Sequence, residues 1–238
     1  MVLSLTALVE LLVAFSLGIL AYRFWQVFNE RKSLIPRLLF YFVGTLAFYF
    51  FFDSFLILFF AGNSFALKLS VIYGVFFQSL ACAFLAYLSI YILNPKINPL
   101  FGFLFIFILG SIATLIAIFI PFFPSLKSIG QIKTVNWDLP LPIGLLQSLI
   151  FLITFVPLIF IFLFYCQISK TNFIKTRSIG MALVFLLGLN AGFVNFFENF
   201  LKLSPLSGDI SLGVFSLFLF LLLLYFSFRD EDYKEKGI

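Results

Sequence analysis

The chain has 238 residues, of which 63% are hydrophobic and 11% are charged, and its mean hydropathy is +1.18. This balance excludes a soluble domain. We therefore expect the chain to lie in a lipid bilayer. In a membrane chain, the positions of Lys and Arg are more informative than the net charge of +5, so this charge does not lead us to expect a nucleic-acid partner. The absence of His excludes haem ligation by His, the common zinc sites and His-based acid–base catalysis.

Seven apolar runs are long enough to cross a bilayer core of about 30 Å as helices. They cover residues 3–25, 38–60, 69–93, 101–123, 143–166, 179–201 and 210–228, and a short polar tail follows at 229–238. The longest gap between spans, 124–142, leaves no room for a soluble domain. The sequence therefore predicts one all-α polytopic membrane domain over residues 1–238.

The basic residues fall unequally on the two sides of these spans. With the N-terminus outside, the inner side holds Arg23, Arg31, Lys32, Arg37, Lys96, Lys170, Lys175, Arg177, Arg229, Lys234 and Lys236, whereas the outer side holds Lys68, Lys127, Lys133 and Lys202. Cytoplasmic loops are the ones enriched in Lys and Arg. We therefore predict an N-out, C-in protein of a prokaryotic cytoplasmic membrane.

Carboxylates and amides collect in the outer half of five of the predicted helices. Glu10 in the first helix and Asp53 in the second both lie about 10 Å below the outer surface. The stretch VNFFENFLK at 194–202 adds three polar residues that would share one helical face. The predicted ligand-binding residues are Glu10, Asp53, Gln78, Gln147, Asn195, Glu198 and Asn199, with no catalytic residue and no dedicated metal site.

Three interpretations of this polar cluster remain open. A carboxylate in hydrocarbon costs about 3 kcal/mol, so these side chains should face the bundle interior or a wet cavity. Interhelical hydrogen bonds that fix helix register would explain them without a ligand. An outward-opening ligand pocket is the second interpretation, and an oxygen-lined cation site is the third.

The loop at 124–142 contains Ile132, Thr134, Val135 and Trp137, which could form a short hairpin or an interfacial flap. Such a segment could cap a site in the outer half. An untethered loop with an interfacial Trp is the competing interpretation.

A faint internal repeat pairs FFDSF at 51–55 with FFENF at 196–200. A true duplication would give two parallel three-helix units joined by the fourth helix. Accidental matches are the more common explanation in a chain that has 39 Phe residues.

Several activities lack the residues that they need. The last predicted helix contains no Lys for a retinal Schiff base, and Asp53 is the only Asp inside a predicted span, which argues against aspartyl intramembrane proteolysis. With no catalytic motif, we expect a protein that is not an enzyme and that has no cofactor.

Four features of the sequence carry a resemblance to a known family. They are the basic turn NERKSLIPR, the acid late in the second helix, the basic KTNFIKTRS before the sixth helix, and the closing SGDISLGVFSLFLFLLLLYFSFRDED. Together they resemble the seven-helix N-terminal sensor region of bacterial histidine kinases and diguanylate cyclases. In that family a signalling domain follows the last helix. The resemblance implies an input module, and here the ten-residue tail leads us to expect the output from a separate membrane or cytoplasmic partner.

The leading prediction is a sensor-like or accessory membrane protein with an acidic, polar pocket for a small ligand or cation in its outer half. One alternative is a small-solute transporter built from the two repeats, which is similar to the PQ-loop carriers in Gln26 and Gln167 but lacks their Pro-Gln dipeptide. A structural subunit of a membrane complex is the other alternative.

Overall fold

The computed structural model describes residues 3–235, with side chains described as far as residue 226. Its helices are α1 (Leu5–Arg31), α2 (Leu34–Phe60), α3 (Ser64–Leu93), α4 (Leu100–Phe119), α5 (Leu141–Ile168), α6 (Asn172–Phe197) and α7 (Pro205–Glu235). Strands β1 (Ser125–Ile129) and β2 (Ile132–Asn136) lie between α4 and α5. All seven helices of the described chain are long and apolar enough to cross a membrane, which confirms the predicted spans. The side chains of Arg229 and Lys234, and Lys236 with the end of the predicted tail, lie outside the described residues.

Most helix ends reach or pass the ends of the predicted apolar runs, but α1 begins two residues late, and α4 and α6 each end four residues early. Helix α4 stops at Phe119 because Pro121 disfavours helical backbone at Ile120, which is extended (ψ 131°). Helix α6 stops at Phe197, and a turn follows in which the Leu203 N–H donates to the Glu198 carbonyl at 2.8 Å and Lys202 has a φ of 54°. The prediction that Asn195, Glu198 and Asn199 all lie within helix six is therefore wrong for the last two.

Helix α7 begins earlier and ends later than predicted. Pro205 starts it, because proline is compatible with a first helical turn, and Gly208 and Asp209 follow inside the helix. Asp209 lies within the span Pro205–Phe226, so the prediction that Asp53 is the only Asp in a span is wrong. The backbone remains helical to Glu235, across most of the tail that was predicted at 229–238.

Neighbouring helices pack in chain order from α1 to α7, and α7 returns to α1. Helix α3 also packs directly on α5, which leaves α4 outside, against both. One stripe of α4 (Gly102, Ile106, Gly110, Ala113 and Ala117) is buried, while Phe101, Phe105 and Phe119 are exposed to the surroundings as a lipid-facing side requires. Helices α5 and α6 meet closely at Gly144, where a Cβ atom would lie 2.6 Å from the carbonyl oxygen of Phe196.

Residues 125–136 form the hairpin that was one of the predictions for this loop. Its strands are antiparallel, with Ser125 opposite Asn136 and Ile129 opposite Ile132, and Gly130 in the two-residue turn has a φ of 62°. Thr134 and Val135 on β2 are buried against α1 and α7, whereas most of β1 is exposed. We call the end of the bundle that carries this hairpin the hairpin side.

The two segments of the proposed repeat occupy different places in their helices. Asp53 of FFDSF lies seven residues before the end of α2, whereas Glu198 of FFENF lies one residue beyond the end of α6. This difference in register weakens the case for a duplication, although the packing of α1–α3 and α5–α7 with α4 outside matches the predicted three-plus-one-plus-three layout.

Candidate functional site

A cavity of about 140 Å³ lies in the centre of the bundle. Its lining comes from α1, α2, α3, α5, α6 and α7, and from Trp137 and Leu139 in the segment that follows β2. On α1 the lining residues extend from Glu10 to Phe24, and on α6 from Met181 to Asn195 and Phe196, which corresponds to about 20 Å along each axis. The space is therefore long and narrow.

The polar lining of this cavity is confined to its hairpin side and middle. It consists of Glu10, Tyr49, Gln78, Trp137 and Asn195. The remaining length is lined by aliphatic and aromatic side chains, among them Leu17, Leu20, Phe24, Leu39, Phe42, Phe155, Met181 and Phe185. Three of the seven predicted ligand-binding residues, Glu10, Gln78 and Asn195, thus line one cavity.

Glu10 and Asp53 lie next to each other, as their predicted common depth implies. Glu10 is 2% exposed and Asp53 is 1% exposed, and their side chains interact directly across α1 and α2. Asp53 accepts a hydrogen bond from the Tyr49 hydroxyl at 3.1 Å and another from Ser70 on α3. Oε2 of Glu10 has no hydrogen-bond partner among the described residues. Adjacent carboxylates repel each other, and a shared proton or a cationic ligand group relieves that repulsion.

Tyr49 has a role that the sequence analysis missed. Its hydroxyl links Asp53 to the cavity, and the Gln78 side chain lies beside it. Tyr49 falls within the aromatic stretch FYFFF, where a tyrosine is hard to distinguish from the phenylalanines around it. Only its four-residue spacing from Asp53, which places both on one helical face, pointed to a shared function.

Gln147 contributes to packing rather than to the cavity lining. It is fully buried, and its Nε2 donates to the Val75 carbonyl at 3.2 Å and to the Ser79 hydroxyl at 3.0 Å. These bonds hold α5 against α3. Gln147 therefore fits the alternative interpretation of the cluster, in which interhelical hydrogen bonds fix helix register.

Glu198 lies just beyond α6 and outside the cavity. It is 3% exposed, and neither carboxyl oxygen has a hydrogen-bond partner within the described chain. It lies against Gly208 at the start of α7, where Asn195 also approaches. Burial, and to a smaller extent the nearby Asp209 carboxyl, raise the pKa of Glu198 from 4.5 to about 7, against an opposing effect of the positive charge of Lys127 on β1.

Asn199 is exposed and attaches the end of α6 to the segment after the hairpin. With its amide oxygen facing that segment, it accepts from the backbone N–H groups of Asp138 at 3.2 Å and Leu139 at 2.9 Å. Its amide nitrogen then donates to Oδ1 of Asn136 at 3.1 Å. Asn199 thereby positions Leu139, which lines the cavity, without lining the cavity itself.

A second set of contacts missed by sequence analysis holds β2 onto the helices. The hydroxyls of Thr6 on α1 and Thr134 on β2 both donate to Oδ2 of Asp209 on α7, at 3.0 and 2.7 Å. The backbone N–H of Val135 donates to the Thr6 hydroxyl at 2.9 Å. We call Thr6, Thr134 and Asp209 the hairpin latch. Asp209 was overlooked because it lies one residue before the predicted span 210–228.

The donor set around the cavity suits a hydrogen-bonding or cationic group better than a metal site of several side chains. Within the described residues, no three His, Cys, Asp or Glu side chains are grouped closely enough to hold a metal ion. The acidic pair of Glu10 and Asp53 adjoins the cavity through Glu10, and no Lys or Arg is among the described residues that line it.

Comparisons with known proteins add no family assignment. A scan against protein-family models, a search of curated proteins and a search of solved structures each found no match to this chain.

Proposed function

We propose that this chain is a sensor-like membrane protein that binds a small ligand in the central cavity. The observation that carries this proposal is the cavity itself, which is polar at one end, apolar along the rest and covered on its polar end by Trp137 and Leu139. A preformed, mostly apolar space with a few converging polar groups is the usual form of a small-molecule site.

Helix α7 supplies a connection between this cavity and the opposite side of the bundle. Leu212 and Phe215 line the cavity near the start of α7, and the helix continues for nine residues beyond the end of its apolar span at Phe226. A rigid helix that contacts a ligand at one end can shift its other end by differential binding to two conformations. We propose that a separate protein partner binds the end of α7 and responds to this movement.

A transport function is less well supported by the lining of the cavity. The half that leads away from the hairpin side is lined by apolar residues such as Phe24, Leu39 and Met181. A polar solute that crossed there would lose its hydration without gaining hydrogen bonds.

The binding proposal is tested by filling the cavity. Leu46→Trp places a larger side chain into the lining, and Leu149→Trp, at a 46% exposed site on the lipid-facing surface, is the matched control. We expect native mass spectrometry or a thermal-shift screen with cations and small metabolites to detect a ligand on the wild type and the control. We expect the Leu46→Trp variant to have lost it.

Ligand retention by the folded Leu46→Trp variant would contradict the cavity as the binding site. Labelled solute counterflow in proteoliposomes addresses the transporter alternative with the same protein. A sensor should give no counterflow, so saturable counterflow blocked by Leu46→Trp would replace the sensor proposal by transport.

A further inference from the structure

The polar end of the cavity carries one buried acceptor without a donor among the described residues, beside the N–H groups of Gln78 and Trp137. The Tyr49 hydroxyl already donates to Asp53, and the Asn195 amide nitrogen already donates to the Ala191 carbonyl at 2.8 Å. By contrast, Oε2 of Glu10 accepts no hydrogen bond from the described residues, although Glu10 is almost completely buried. A buried acceptor without a donor is unfavourable, so a ligand that binds here gains most by bringing donors.

The acidic pair at this end disfavours anionic head groups. Glu10 and Asp53 lie side by side, and neither Lys nor Arg is among the described residues that line the cavity. A carboxylate or phosphate would meet repulsion in a site of low dielectric, where it is weakly screened. A neutral head group that donates hydrogen bonds avoids this repulsion, and a cationic head group is attracted to the acidic pair.

The shape of the cavity restricts the rest of the ligand. A volume of about 140 Å³ is distributed along lining residues that extend for about 20 Å on α1 and on α6. The length of that space suits one unbranched chain. Its walls beyond the polar end are apolar, so each methylene of such a chain gains transfer free energy.

We propose that the ligand is a single-chain amphiphile whose head group donates hydrogen bonds and carries no negative charge, namely an alkyl amine or an alkyl alcohol. This proposal rests on the proposed function. The head group binds beside Glu10, Tyr49 and Gln78 on the hairpin side, and the chain runs along the bundle axis toward Phe24 and Met181.

The test compares four probes that share one chain: decylamine, decanol, decanoate and decane. Each is added at the same mole fraction to the full-length protein in a nonionic detergent, and the apparent unfolding temperature is recorded. We expect decylamine and decanol to raise it by a few degrees in the wild type, and decanoate and decane to leave it unchanged.

Two variants locate the effect. Glu10→Gln removes the negative charge and keeps an acceptor, so it should lose the decylamine shift and retain part of the decanol shift. Glu198→Gln, which changes a buried carboxyl outside the cavity, should retain both shifts. A chain-length series on the wild type keeps the test decisive if Glu10→Gln does not fold. In that series the shift should grow from butylamine to decylamine and fall at octadecylamine.

Any of four results would overturn the proposal: one of the three given next, or the absence of a shift with every probe. If decane raises the apparent unfolding temperature as much as decanol does, the head group does not contribute to binding. If decanoate gives the largest shift, the charge argument is wrong. A shift that rises without limit along the amine series would indicate partition into the detergent micelle. If no probe acts but Leu46→Trp still abolishes another ligand, the ligand class is wrong and the proposed function stands. If Leu46→Trp also changes nothing, both proposals fail.

Discussion

Single residues in this protein show that one type of side chain can occupy different surroundings on the same side of the bundle. Glu10 borders the cavity, whereas Glu198 is buried beside Gly208 at the junction of α6 and α7. Sequence position alone suggested the same role for both. Their surroundings separate them, because only Glu10 adjoins space that a ligand can enter.

Glu198 should make stability depend on pH in a defined direction. Its pKa is raised to about 7 in the folded protein, so the folded state holds this proton more tightly than the unfolded state does. The stabilisation is complete below pH 4.5 and is lost as the pH rises toward 7. We expect the apparent unfolding temperature of the wild type to fall relative to Glu198→Gln between pH 5 and pH 8.

The control for this pH measurement is Leu149→Trp, which replaces one side chain that does not titrate by another at an exposed position on α5. Its difference from the wild type should stay constant over the same range. A constant difference for Glu198→Gln as well would show that Glu198 does not titrate between its ordinary value and 7.

At the scale of elements, the hairpin depends on helices at both ends of the chain. The latch joins β2 to α1 and α7, and its three side chains are 3% exposed or less. Bonds between hydroxyls and a buried carboxyl are stronger than bonds between neutral groups. The hairpin is therefore fixed to the bundle at the same end as the polar part of the cavity.

Loss of the latch should loosen the hairpin before it unfolds the bundle. Asp209→Ala leaves the hydroxyls of Thr6 and Thr134 without their shared acceptor, which should cost about 1 to 3 kcal/mol. We expect faster tryptic cleavage at Lys127 and Lys133 in the hairpin, measured by mass spectrometry of the fragments. Ser211→Ala, which removes a hydroxyl bonded within α7, is the control and should cleave at the wild-type rate.

Equal cleavage rates in Asp209→Ala and the wild type would mean that other contacts hold the hairpin. The bonds of Asn199 to Asn136, Asp138 and Leu139 would then be the next candidates.

The elements also show what sequence could predict and what it could not. Hydropathy located all seven spans, and the alternation around Ile132 to Trp137 indicated the hairpin, because both signals depend on local composition. The end of α6 was mispredicted because Asn199, Phe200 and Leu201 continue the pattern of the helix up to the turn at Lys202. The start of α7 was mispredicted because Pro205 and Gly208 are residue types common in loops, although here they begin a helix. The partners of Asp209 lie 75 and 203 residues away, beyond any local pattern.

At the scale of the whole molecule, the predicted N-out, C-in orientation follows from charge and can be tested directly. In a background with Cys82→Ala and Cys166→Ala, Ser128→Cys on the exposed hairpin should react with a membrane-impermeant maleimide in intact cells. Asn94→Cys, exposed at the opposite end of α3, should react only after lysis. The reverse pattern would invert the orientation and would place the polar end of the cavity toward the cytoplasm.

Helix α4 lies outside the packed ring, and none of the described residues that line the cavity belongs to it. Its importance lies in the number of membrane crossings. A chain that crosses a bilayer reverses direction at each helix. Without α4, the three helices α5 to α7 would therefore have the opposite orientation to α1 to α3. The single extra crossing restores the direction, which lets α7 begin on the same side as α1 and brings Asp209 to the level of Thr6. Helix α4 is thus needed for α7 to pack beside α1 and complete the cavity wall, although none of its described residues lines the cavity.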